Sequence, residues 1–388
     1  MDELVQTLEH LEREGLLRTP RSLEGAQGPL ISIEGRKLIN LCSNDYLGLA
    51  AHPSVIEGAI EAARRFGAGS GSSRLVAGTL QIHLDFEREL ARFKGFEAAL
   101  VMSTGYMANL GVLQSLAGPD DAIFSDALNH ASLIDGCRLS RAAVHVYPHR
   151  DTSALEEMLQ KARGFRRRLI ITESVFSMDG DIAPLPALVE LKERFGALLV
   201  VDEAHATGVL GKSGKGALEH FGLQGGVDVI IGTLGKALGS FGAFVCSSRS
   251  IREYLINTAR AFIFTTGLPP SAVGAAYAAL ELIQQHPERI KRLWQNANLL
   301  KSGLARLGWS LQSETPILPL ILGKATHALA FGNALFQAGT FIAPIRPPSV
   351  PEGSSRLRIT PTAAHTTPQL QSVLEAFSLC GKALGLLS

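Results

Sequence analysis

The stretch from Asp228 to Phe244, DVIIGTLGKALGSFGAF, decides the fold. Asp228 to Thr233 is an apolar run of the kind buried in parallel sheets, Gly235 and Gly239 open the backbone around a lysine, and Gly242 to Cys246 supplies the next strand. Lys236 thus emerges from a buried strand into a glycine-rich loop, not from a solvated helix. A lysine loses its proton readily when desolvated and serves in Schiff-base chemistry, where arginine cannot. Alone, the same residue also reads as a surface lysine in a loop; its company along the chain decides.

Outward from this stretch, apolar strand-like runs alternate with helix-period segments from about residue 55 to 280, the pattern of a mostly parallel sheet covered by helices. An α/β fold follows, with residues 46–285 as the large domain. After Pro269 and Pro270 comes a helical stretch, Ser271 to Gln285, and then helix, strand, helix, strand, with ILPLILG and RLRIT as strands and a final helix from about Gln369 to Leu387. Residues 286–388 are expected to form a smaller α+β domain, joined by the segment 1–45, where Leu4, Leu8 and Leu11 share a helical face that ends near Gly15.

Composition narrows the function. The chain has 388 residues, 46% hydrophobic, with net charge +1, enough for an extensive core and too balanced for a nucleic-acid footprint or polybasic membrane anchor. The one dense basic run, RGFRRR at 163–168, reads as a solvated lead-in to the strand LIIT. Cys42, Cys137, Cys246 and Cys380 lie far apart with no CxxC pair, which fits reduced thiols in a cytoplasmic protein and argues against a metal or disulfide framework. The first residues, MDELVQTLEHLEREGLLR, lack the apolar core of a signal peptide, and no apolar stretch is long enough to span a bilayer.

Four motifs align with Lys236. In VDEAHATG, Leu198 to Val201 form an apolar strand and Asp202 stands at its C-terminal end, the edge where open α/β sheets bind ligands. A carboxylate there can pair with a protonated ring nitrogen, and His205 can reach the same ligand; a helix cap and a surface histidine are the plainer alternatives. In AALVMSTGYMANLGVL a strand ends at Ser103 and a helix begins near Gly105, so free amides, with the Ser103 and Thr104 hydroxyls, offer a phosphate site. Tyr106 stacks on a ring or merely packs. In SDALNHASL, His130 follows a strand and is placed to stack on a planar group or to serve structurally. In ESVFSMDGD, Glu173 and Ser177 lie at the same sheet edge before the turn Met178 to Asp181. GVLGKSGKG imitates the end of a Walker loop, but the required first glycine is Ala206.

A loop lysine, a strand-edge aspartate, a histidine and a phosphate-ready helix start match the needs of pyridoxal 5'-phosphate. In order, the motifs resemble fold-type I pyridoxal-phosphate enzymes, and more narrowly the α-oxoamine synthase family: SNDYLGL at 43–49, GSGSSRLVAGT at 69–79, NHAS, VFSMDGD, DEAHATG and TLGKALG. The resemblance runs from about Arg18 to His365. Within the family, IRPPSVPEGSSRLRITPTAAH at 345–365 is most similar to members that join L-alanine to a pimeloyl thioester. Glycine C-acetyltransferases, 5-aminolevulinate synthases and serine palmitoyltransferases share the cofactor motifs but usually depart from IRPP, and Ser349 stands where threonine is commoner. A non-catalytic subunit of the same fold is a third reading.

The resemblance implies roles. Lys236 would form the imine, Gly105, Tyr106 and Thr233 would contact the phosphate, and His130 would stack on the ring. Asp202 would pair with the ring nitrogen, while His205 and Ser177 would lie on the phenolic-oxygen side. Asn44 and Arg358 would hold the amino-acid carboxylate, and Arg18 and Ser349 would contact substrate. It also implies a homodimer with sites at the interface, where Thr265 to Gly267 reaches the neighbour's phosphate, and an acyl donor carried by coenzyme A or an acyl carrier protein.

Overall fold

The computed structural model describes residues 2–387. The chain divides into two compact units, a larger one of residues 52–176 and 182–290, and a smaller one that contains the chain through Ala51, the turn Ser177–Asp181 and the chain from Lys291 onward. Residues 46–51 and the turn therefore fall with the smaller unit, not with the span 46–285 expected to be the large domain. Hydrogen bonds account for this. The Ala363 amide donates to the Tyr46 carbonyl at 2.7 Å, and the Thr315 hydroxyl donates to the Gly180 carbonyl at 2.9 Å.

The strands in chain order are β1 (Leu30–Ile33), β2 (Arg36–Asn40), β3 (Ala98–Met102), β4 (Ala122–Asp126), β5 (Ala143–Tyr147), β6 (Arg168–Glu173) and β7 (Leu198–Asp202). They continue with β8 (Val229–Thr233), β9 (Ala243–Ser247), β10 (Leu318–Gly323), β11 (Thr340–Phe341), β12 (Pro344–Ile345) and β13 (Ser355–Ile359). In the larger unit seven of them form one sheet in the order β3-β9-β8-β7-β6-β4-β5. The run from β8 to β5 is parallel, whereas β9 is antiparallel to both β8 and β3. The nine-residue LGKALGSFG connection thus turns the chain back on itself, too short for the helical crossover that a parallel neighbour needs. Ile170, Val200, Val229 and Ile231 are buried, as continuous apolar strands covered on both faces must be.

The helix Gly105–Leu116 is apolar nearly all round and packs into this core through Val112 and Leu113. The helices Pro53–Phe66 and Pro270–Gln285 cross at Gly58 and Gly274, where a Cβ on Gly274 would stand 2.3 Å from the Gly58 carbonyl oxygen. The basic run is not simply solvated. Arg166 holds Asp121 through two hydrogen bonds of 3.0 and 2.7 Å, and Arg167 donates to the Leu116 carbonyl at 3.2 Å.

In the smaller unit β1-β2-β11 and β10-β13-β12 form two three-stranded sheets. The core there is built from Leu300, Leu318, Phe331, Leu357 and Phe377, with Trp309 stacked on Phe331 at 5.2 Å. Thr366 and Gln369 form a capping box that starts the last helix at Thr367, and it ends at Ala383, short of Leu387. Among the described residues no helix is long and apolar enough to cross a membrane, and no cluster of acidic, histidine and cysteine residues could hold a metal ion.

Candidate active site

The site residues singled out in the larger unit lie at or follow the C-terminal ends of β3, β4, β7 and β8. Asp202, the last residue of β7, is 7% exposed. One carboxylate oxygen accepts the Ala204 amide at 2.8 Å and the other accepts Asn109 Nδ2 at 2.8 Å. Asn109 Nδ2 also donates to Ser132 Oγ at 2.8 Å, and Ser132 Oγ lies 2.7 Å from His130 Nδ1. The Ser132 backbone amide points at the same Nδ1, at 3.3 Å, which makes that nitrogen the acceptor. The proton of a neutral His130 ring is then on Nε2. Burial pushes the His130 pKa down, Asp202 opposes the shift and Lys236 reinforces it, so the ring is neutral at pH 7. His130 also caps the helix Ala131–Ser140, so its structural and site-facing readings coincide in one residue.

Lys236 Nζ lies 2.8 Å from His205 Nε2, with the lysine half-buried and the histidine 5% exposed. The loop that presents the lysine is closed on itself: the Leu234 amide donates to the Gly242 carbonyl at 2.9 Å, and the Gly239 amide to the Lys236 carbonyl at 2.8 Å. Gly239 has φ +58° and Gly242 φ +118°, backbone that glycine adopts without strain. The Thr233 hydroxyl serves the same loop, donating to the Gly242 carbonyl at 3.1 Å and accepting the Gly235 amide at 3.2 Å.

At the start of the helix Gly105–Leu116, Thr104 accepts the Met107 amide at 3.1 Å. The amides of Gly105 and Tyr106 have no acceptor among the described residues, and a Cβ on Gly105 would meet nothing within 4 Å. Two free amides beside open space fit an anion, which is what the phosphate of pyridoxal phosphate requires. The buried carboxylate of Asp202 and the half-buried amine of Lys236 fit its other two polar ends. Tyr106 is 44% exposed and its hydroxyl donates to the Asp135 carboxylate, so here it neither stacks on a protein ring nor packs into the core.

The smaller unit holds the other residues singled out in the sequence. Arg358, on β13, is 6% exposed. Its Nε donates to the Ser177 carbonyl, one terminal nitrogen to Asn44 Oδ1 at 2.9 Å and the other to the Tyr46 hydroxyl at 3.2 Å. All three partners are neutral, and no ion pair to Arg358 occurs among the described residues. The neighbouring Arg356, also on β13, has its charge matched by Asp179 at 2.6 Å. Arg18 donates to the Arg346 and Pro347 carbonyls at 3.2 and 2.7 Å, and the Ser349 amide turns back to the Arg346 carbonyl at 3.1 Å. In the larger unit Thr266 bridges to Ser73, and the Gly267 amide donates to the Ser72 carbonyl at 2.9 Å.

Sequence reasoning passed over Asn109, Ser132 and Tyr46. Asn109 carried a signal: a poor helix former inside an otherwise apolar helix, one turn after Gly105. Ser132 and Tyr46 lay inside the NHAS and SNDYLGL motifs, but nothing local pointed to their partners.

The fold and the lysine-centred cluster define a class. The model of the aminotransferase class I and II family matches residues 36–377, and the chain belongs to that family. A curated 8-amino-7-oxononanoate synthase of Geobacter sulfurreducens is 50% identical over 98% of this chain and 98% of its own length. A serine palmitoyltransferase variant of S. paucimobilis, solved with a bound PLP–myriocin aldimine, is 35% identical with TM-score 0.94, covering 100% of this chain and 98% of that one. An 8-amino-7-oxononanoate synthase of Francisella tularensis is 32% identical with TM-score 0.77, covering 90% of this chain and 99% of that one. Within the class, the chain belongs to the 8-amino-7-oxononanoate synthase family.

Proposed function

We propose that this enzyme uses pyridoxal 5'-phosphate to condense L-alanine with a pimeloyl thioester, giving 8-amino-7-oxononanoate, carbon dioxide and a free thiol in biotin biosynthesis. The observation that carries the reading is 50% identity along the whole chain to a synthase of that name, against 35% to a serine palmitoyltransferase of the same fold.

When bound, the cofactor supplies an aldehyde that joins an amine and a ring that draws electron pairs away from the α-carbon. The chain's residues supply the rest. The Lys236 amine would anchor the cofactor and, freed from it, would take the proton from the alanine α-carbon. That carbon would bond to the acyl carbon as the C–S bond breaks and the thiol leaves; the alanine carboxylate would leave as carbon dioxide, and Lys236 would return the proton. Asp202, held by Asn109, would keep a proton on the ring nitrogen, and neutral His130 would stack on the ring. His205, whose Nε2 lies 2.8 Å from Lys236 Nζ, would with Ser177 serve the phenolic oxygen.

The Gly105 and Tyr106 amides would hold the phosphate, with Thr233. Arg358 and Asn44 are assigned to the alanine carboxylate, because a buried guanidinium whose partners are all neutral is better stabilised by an anion. Arg18 and Ser349 are assigned to the acyl substrate. The enzyme is read as a cytoplasmic homodimer. Exposed Val76 and Phe264, at 80% and 70%, flank the Ser73–Thr266 bridge and suit a second copy, whose phosphate Thr265 to Gly267 would reach.

Thiol release by the cofactor-loaded protein, with product mass, tests the reading. L-Alanine with pimeloyl-CoA should be active and glycine with acetyl-CoA silent. Activity with the second pair alone would transfer the chain to the glycine C-acetyltransferases; pimeloyl carried on an acyl carrier protein is the companion substrate.

A further inference from the structure

Beneath the Asp202–His205 turn lies a charge pair that the chemistry described above does not use. Lys94, the last residue of the helix Gln81–Lys94, and Glu203, the residue after β7, form an ion pair with side chains 1% and 0% exposed. Neighbouring residues along an extended chain point to opposite faces, so while Asp202 meets Asn109, Glu203 turns into the interior. Its second oxygen accepts the Ala217 amide at 2.8 Å. The Lys94 ammonium donates in addition to the Thr207 hydroxyl, at 3.1 Å, and to the Lys215 carbonyl. The chain passes hard against the carboxylate: a Cβ on Gly216, where φ is +107°, would stand 2.2 Å from a Glu203 oxygen.

These contacts fall on both sides of His205. Glu203 is two residues before it and Thr207 two residues after, and the Thr207 amide also donates to the Glu203 carbonyl at 3.1 Å. Lys215 and Ala217 close the far end of the same loop. We propose that the buried Lys94–Glu203 pair is a positioning device that fixes His205 and, through it, the Lys236 amine. Neither residue touches the reacting groups. Their effect is to hold a nitrogen-to-nitrogen contact of 2.8 Å, whose proton sharing depends on a few tenths of an ångström. A buried pair of this kind is poorly explained by stability alone, since apolar residues of similar volume often serve a fold equally well.

The inference rests on the functional reading above, and the test separates the two. Two variants of the pyridoxal-phosphate-loaded protein are compared with the parent. K94M/E203Q removes both charges together and leaves no uncompensated buried ion, and T207V removes one hydroxyl at nearly constant volume. Readouts are the melting temperature, the pH titration of the visible absorbance of the lysine-bound cofactor, and kcat and KM for alanine.

For the double variant the expected result is a melting temperature within about 5 °C of the parent, an absorbance midpoint displaced by about one pH unit, and kcat lowered roughly 10- to 100-fold with KM for alanine within about threefold. T207V should move the same quantities in the same direction by less. A folded double variant with the parent's absorbance titration and kcat would overturn the inference; if the double variant does not fold, an unmoved T207V overturns it. A parent protein that forms no lysine-bound cofactor fails the functional reading itself.

Discussion

The loop 208–216, GVLGKSGKG, and the loop 233–242, TLGKALGSFG, share a Gly-Lys pair and a scatter of glycines, yet their lysines end in opposite surroundings. In the first, the Ser213 amide reaches both Glu219 oxygens at 3.0 Å and the Lys215 amide reaches one at 3.1 Å. A Cβ on Gly211 would stand 2.2 Å from that carboxylate. The protein's own carboxylate fills the place an anion would take, and Lys212 is left exposed. In the second, the loop bonds are backbone to backbone, through Thr233 or from the Ser240 hydroxyl to the Ala272 carbonyl, no carboxylate among the described residues fills the loop, and the lysine is turned to His205. A glycine-rich loop with a lysine is therefore not a site by composition. What separates the two is whether the loop satisfies its own polar groups with a side chain or presents one to a neighbouring strand end.

The largest effect should come from Lys236→Ala. Loss of the anchoring amine and proton carrier is expected to lower turnover at least about 1,000-fold and to abolish the lysine-bound absorbance; thiol release near the parent rate would erase the contrast between the loops. Asp202→Asn comes next. Its amide keeps a hydrogen-bonding oxygen but loses the charge that holds a proton on the ring nitrogen, so kcat should fall about 100- to 1,000-fold, read in the same assay.

His130 sharpens the comparison through pH. Burial depresses its pKa below the ordinary 6.5, and Asp202 opposes this without reversing it. The neutral ring is thus the working form, and kcat/KM should hold steady as pH falls to 6.5 and decline only below, as His130 gains its proton. Stability follows the same sign: the contribution is fully present above the unfolded value and is lost as pH falls through the lower folded value. Denaturant unfolding from pH 7.5 down to 5 should show a slope that His130→Phe reduces.

What the sequence could show depended on distance along the chain. Lys236, Asp202, His205 and the Thr104–Gly105 helix start each announce themselves because an apolar strand ends in a short polar segment, and strand and motif are read together within ten residues. The ties that orient them are long-range. Asn109 reaches Asp202 across 93 residues, and Lys94 reaches Glu203 across 109. No local pattern encodes such pairings, and Lys94 read alone is one more basic residue in the last turn of a helix. The antiparallel placement of β9 and the grouping of Ser177–Asp181 with the smaller unit were equally invisible, because each is decided by the element a segment meets, not by its own residues.

Glu219 tests the other loop. Glu219→Ala strips two amides of their acceptor and should cost about 1–3 kcal/mol of unfolding free energy, measured by urea titration, while leaving the lysine-bound absorbance in place. An unchanged unfolding midpoint would mean that solvent satisfies those amides as well as the carboxylate does, and that the loop is not held by its own carboxylate.

The smallest effect belongs to Lys212→Ala. Its side chain is exposed and makes no hydrogen bond or ion pair among the described residues, so thiol release and melting temperature should match the parent within about twofold and about 1 °C. The weight of this variant lies in its being the same substitution as Lys236→Ala, in the same Gly-Lys context, on a loop from the same sheet. A tenfold loss of activity would mean that the GKS segment reaches substrate after all, and that the Glu219 carboxylate yields its place when an anionic ligand arrives.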